Sequence, residues 1–170
     1  MQCVLPLVFT LLLALPGCNM VGGSVGVGTG SGMGISFSSY GDFLYSGNGE
    51  TYANNRRGLK ELLNKDYFAA REIFKASLEM SPGNPDATYY LGLTFIYLDE
   101  RAAGYSLLSQ YRDPFKIRIA QEVHWWANYC SKKPDLTPEK IHRVMNNART
   151  DGYQRDREEE WDRRKRFLGI

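Results

Sequence analysis

No charged side chain occurs before Asp42, and that feature divides the chain into two unlike parts. All 21 basic and 19 acidic residues of the 170-residue sequence lie beyond position 41, whereas nine of its 17 glycines lie before position 42. What remains after the uncharged part is enough for one modest domain. This partition excludes a uniform globular chain and a multidomain enzyme. A net charge of +2 also excludes a strongly basic nucleic-acid binder.

The uncharged part opens with Val4 to Leu15, which is almost wholly apolar. A helix needs about 20 such residues to cross a bilayer core, so the run is too short to span one. It has the length of a secretion signal's apolar region; the alternative is an uncleaved, buried hydrophobic segment. The next residues are Leu15-Pro16-Gly17-Cys18. This pattern resembles the lipobox of bacterial lipoproteins, and departs from it in Pro16 and in having no cation ahead of the apolar run. The resemblance implies that residues 1–17 are a signal peptide, with diacylglycerol on the Cys18 sulfur, cleavage after Gly17 and a further acyl chain on the freed amine. Two or more acyl chains give stable anchoring where one does not. Asn19 follows, rather than the Asp that retains such proteins at the inner membrane. The implied location is therefore the outer membrane, facing the periplasm. With Cys3 removed and Cys18 capped, Cys130 is left as a single thiol, so no intrachain disulfide is expected and Cys130 reads as a small core residue.

Residues 18–50 read as a tether rich in Gly and Ser. Val21 to Gly34 tempts a nucleotide-site reading, but no Lys stands where a phosphate loop needs one. Met33 also occupies the place of the third glycine of a dinucleotide fingerprint. Gly and Ser lose much conformational freedom on ordering and bury little, so a flexible linker is expected. Fourteen such residues span roughly 20 Å. Tyr40, Phe43 and Tyr45 suggest partial order in 36–48 as an extended segment lying on the domain.

From Thr51 the apolar periodicity is helical, and a 34-residue repeat emerges. Gly58, Tyr67, Ala70, Phe74 and Pro82 mark a first unit; Gly92, Gly104, Leu108 and a displaced Pro114 mark a second that has decayed. Glycine lets helix axes approach, and Ala70 with Phe74 lie one turn apart on one face. Asn84-Pro85-Asp86 is a helix start, with cap, first-turn proline and an acid favourable to the dipole. Over residues 51–112 the pattern resembles tetratricopeptide repeats. The resemblance implies an all-α fold: tetratricopeptide-like helical hairpins, an α-solenoid, behind a disordered lipidated tether.

Residues 113–153 read as a degenerate repeat or capping helices. One helix starts at Asp113-Pro114, with Ile119, Val123, Trp126 and Cys130 at helical spacing, and Trp125 and Tyr129 widening the apolar surface, as in a helix buried on two sides. Another starts at Thr137-Pro138-Glu139, with the stripe Ile141, Val144, Met145 and Ala148. Residues 154–170 form a charged helical tail. Glu159 with Arg163, Glu160 with Arg164 and Asp162 with Arg166 suit i,i+4 pairing. The tail reads as a solvated extension, or as a cationic cluster, Arg163 to Arg166, that meets acidic lipid or protein.

No catalytic constellation is evident. His124 and His142 are the only histidines, neither sits in a zinc motif, and no metal or cofactor is expected. What remains is a binding surface. Leu91, Phe95 and Leu98 face inward; Tyr89, Leu93, Ile96 and Tyr97 form a second stripe. In tetratricopeptide domains the corresponding side lines a groove for a partner peptide. Either a partner occupies it, or segment 36–48 or the tail covers it. The expectation is a lipid-anchored adaptor or assembly factor of the cell envelope, binding protein and not acting as an enzyme. The rival classes are an envelope enzyme using Glu122 or His124, and a structural spacer.

Overall fold

The computed structural model describes residues 49–169, which form six helices with no strand among them. The helices are α1 (Glu50–Leu63), α2 (Tyr67–Met80), α3 (Pro85–Tyr97), α4 (Arg101–Ser109), α5 (Ile117–Ser131) and α6 (Pro138–Leu168). Cys18 and the tether up to residue 48 lie outside the described residues.

Each helix packs on the one that follows, giving three antiparallel hairpins, α1/α2, α3/α4 and α5/α6. The first two hairpins repeat each other at their helix crossings and turns, although α4 is shorter than α2. A Cβ on Gly58 would come within 2.8 Å of the Phe74 ring, and one on Gly92 within 2.9 Å of Leu108, 34 positions along in both partners. The turns repeat as well. Lys65 and Asp99 adopt left-handed backbone (φ 65° and 62°). Beyond them the Asp66 amide donates to the Glu61 carbonyl and the Glu100 amide to the Phe95 carbonyl, each at 2.9 Å. Such 6→1 bonds close a helix and satisfy its last carbonyls. Caps follow the sequence: the Asp66 carboxylate accepts from the Ala69 amide at 3.0 Å, and Asn84 Oδ1 from the Ala87 amide at 2.9 Å.

The third hairpin does not continue the pattern. Helix α3 meets α1 and α6, and its backbone stays clear of that of α5. Eleven of the 13 residues of α3 are buried, so it is wrapped by α1, α2, α4 and α6. A helix apolar on all sides is stable only in such a place. Helix α6 is continuous from Pro138 to Leu168, so no break separates the charged tail from the packed helix before it. Its buried positions Ile141, Met145, Ala148, Arg149, Gly152 and Asp156 recur at helical spacing. At Gly152 the backbones of α5 and α6 nearly touch: a Cβ there would lie 2.6 Å from the Ile119 Cα. Cys130 is buried, as expected of a core residue, and desolvation pushes its thiol pKa up.

Candidate functional site

The stripe expected to line a partner groove is interior. Tyr89, Leu93 and Ile96 are 0% exposed, and Tyr97 is half-buried. The occupant is the first half of α6 and not the tail; segment 36–48 lies outside the described residues. The Tyr89 hydroxyl donates to Asn146 Oδ1 at 2.7 Å, and the Tyr97 hydroxyl is hydrogen-bonded to His142 Nδ1 at 3.0 Å. Tyr97 also stacks on Tyr67, with ring centroids 4.7 Å apart. Burial raises the Tyr97 phenol to about 12, with Glu139 adding to the rise, and lowers the His142 pKa, which favours the neutral imidazole. A groove at these four residues is therefore closed by the chain itself.

An ion pair locks that closure. Arg149 and Asp86 are 1% and 0% exposed, and the guanidinium donates to Asp86 Oδ1 at 2.5 Å. Arg149 also lies over the Tyr89 ring at 4.4 Å and the Tyr90 ring at 5.3 Å. Asp86, placed by the sequence at a helix start for the sake of the dipole, is thus half of a buried inter-helix pair. The signal for this lay in α6: Arg149 and Asp156 stand at core spacing among Ile141, Met145, Ala148 and Gly152. Charges at core positions need partners.

The open surface is elsewhere, on α5. Trp125 and Tyr129 are 58% and 43% exposed, so the apolar surface they add to α5 is open even though α4 and α6 flank that helix. Helices α4 and α6 both pack on α5, whose Ile119, Val123, Ala127 and Cys130 are buried, while the face carrying Trp125 and Tyr129 stays open. There Trp125 and Tyr129 stack in parallel at 5.9 Å, and Trp126 stands edge-on to both. Beside them a cleft of about 400 Å³ is lined by Gln121, Glu122, Trp125, Trp126, Asp151 and Arg155.

No protein-family model, curated protein or solved structure matches this chain.

Glu122 and His124, the residues of the enzyme reading, both have structural partners. Glu122 is ion-paired with Arg155 of α6. His124 Nε2 is hydrogen-bonded to the Tyr111 carbonyl at 2.7 Å. Among the described residues no cluster of His, Cys, Asp and Glu has the grouping of a metal site, and no helix is long and apolar enough to cross a membrane.

Proposed function

We propose that this chain is a membrane-anchored bacterial lipoprotein of tetratricopeptide-like hairpins, acting as a protein-binding adaptor or assembly factor in the cell envelope. The observation that carries the reading is Leu15-Pro16-Gly17-Cys18 at the end of an apolar run, followed by a glycine-rich tether free of charge. Acylated at Cys18, the chain is held at the outer membrane with its helical domain in the periplasm. The duplicated hairpin, with its repeated glycine contacts and left-handed turns, supports the tetratricopeptide-like part of the reading.

The partner surface is the α5 face. Exposed Trp and Tyr side chains clustered beside a polar cleft have the composition of interaction hot spots. Anchoring confines that face near the membrane and raises its effective concentration for a membrane-bound partner. Helpers in pilus, secretion or outer-membrane assembly work in this manner, and the comparison with them is by analogy. The pairing of Glu122 and His124 with structural partners, and the burial of the Cys130 thiol, favour recognition over reaction.

The test is Cys18→Ser expressed in the chain's own cells, with membranes washed in about 1 M salt, where the Debye length falls to about 3 Å and charge-held proteins come off. The variant is expected in the soluble fraction with loss of the deletion phenotype's rescue; retention on washed membranes overturns the reading. Trp125→Ala with Tyr129→Ala should abolish rescue while leaving the melting temperature unchanged. A spacer would tolerate that change, and an enzyme would instead fail on substitution of Glu122 and His124.

A further inference from the structure

The acidic residues of the α6 tail neutralise only part of its cationic charge. Glu159 pairs instead with Arg118 of α5 at 2.5 Å, and Glu160 lies 4.0 Å from Lys116. Of the three i,i+4 pairs expected within the tail only Glu160–Arg164 forms, at 3.4 Å; Arg163 and Arg166 have no ion pair among the described residues. The fold therefore separates the charges: of the four cations in the stretch Trp161 to Leu168, Arg163, Lys165 and Arg166 are in no ion pair among the described residues, and Asp162 is the one carboxylate of that stretch.

Position adds to this. Arg163, Arg164, Lys165 and Arg166 are consecutive helical residues, about 100° apart, so they form a collar around the axis. Apolar side chains stand at both edges of the collar and are open to solvent: Trp161 is 54% exposed, Phe167 90% and Leu168 59%. Lys165 Nζ lies over the Trp161 ring at 5.4 Å. These two turns run about 12 Å past the last contact with α5.

They also leave the domain at a defined end. Asn55 of α1 donates to Asn84, the cap of α3, at 3.1 Å. Asp86 of α3 meets Arg149, and Asp156 accepts from the Arg118 and Ile119 amides at the start of α5, each at 3.1 Å. The N-termini of α1, α3 and α5 thus share one end, and α6 runs out past that same end. The chain from Cys18 joins the domain there, at Gly49.

We infer that the collar and its apolar side chains, Trp161 to Leu168, form a second membrane contact that engages an anionic phospholipid surface. The inference rests on the reading of Cys18 as the lipid anchor, which brings that end of the domain to a bilayer. Arginine and lysine suit phosphate headgroups, Trp suits the interface, and Phe and Leu suit the acyl boundary. The contact orients the domain and directs the α5 aromatic face.

The experiment uses the full acylated chain with Trp125→Phe and Trp126→Phe, so that Trp161 is the one tryptophan, reconstituted into brominated-lipid vesicles. Flotation reports the acyl anchor and Trp161 quenching reports the tail. Quenching is expected in vesicles containing phosphatidylglycerol and not in phosphatidylcholine alone. It should be lost in high salt and in the R163Q/R164Q/K165Q/R166Q chain, which still floats and melts as before. Equal Trp161 emission with both lipids in a floating chain overturns the inference. So does a blue shift raised by polyglutamate and not by vesicles, which assigns the collar to an acidic protein. A chain that does not float with neutral vesicles fails the anchor reading alone, and excess anionic vesicles then read the tail by the same quenching.

Discussion

At the scale of single residues the decisive pair is Asp86 and Arg149. Two charges wholly removed from water are tolerated because each satisfies the other and two tyrosine rings face the guanidinium. Breaking such a pair leaves one charge stranded, at a cost of about 3–5 kcal/mol. Arg149→Ala should therefore lower the unfolding free energy by that amount in urea titration, whereas Asp86→Leu combined with Arg149→Met should recover most of it. His142 supplies a pH signature. Its folded pKa lies below the unfolded value of about 6.5, so the unfolded chain binds the proton more readily in acid. Its contribution is complete above the unfolded value and is lost as pH falls from there toward the lower folded value, with a slope of at most about 1.4 kcal/mol per pH unit. His142→Gln should flatten the stability profile in that window; an unchanged acid slope would mean that another group carries it.

At the scale of elements, α6 does three jobs with one helix: it seals α3, backs α5 and projects the tail. Asp156 illustrates how. From α6 its carboxylate caps two amides at the first turn of α5, where Lys116 supplies no side-chain cap. Asp156→Ala should cost about 1–2 kcal/mol, and hydrogen exchange should speed selectively at the start of α5. Much of this architecture was legible in the sequence. Asn84, Thr137-Pro138 and the 34-residue spacing marked helix starts and a duplicated hairpin from local chemistry. What was not legible was which helix would cover α3. The stripe Tyr89, Leu93, Ile96 and Tyr97 has the same apolar character whether a partner or α6 lies on it, and only tertiary packing decides. Packing also leaves open Trp125 and Tyr129, which periodicity had counted as further apolar surface. The turns at Lys65 and Asp99 were also hidden, because their left-handed backbone carries no glycine to announce it.

At the scale of the molecule, the proposal joins an acylated tether to a helical domain that presents an aromatic face to one partner and a cationic end to the membrane. The three surfaces are separable, since Cys18, the α5 face and the last turns of α6 lie on different segments. Loss of anchoring, loss of partner rescue and loss of orientation should accordingly be obtained one at a time. All three depend on the maturation of the N-terminus. The most direct measurement is the intact mass and N-terminal fragment spectrum of the chain isolated from its own cell membranes. The expected result is a chain beginning at Cys18 with diacylglycerol on its sulfur and an acyl chain on its amine. A chain that retains residues 1–17 and carries no lipid would contradict the proposal outright.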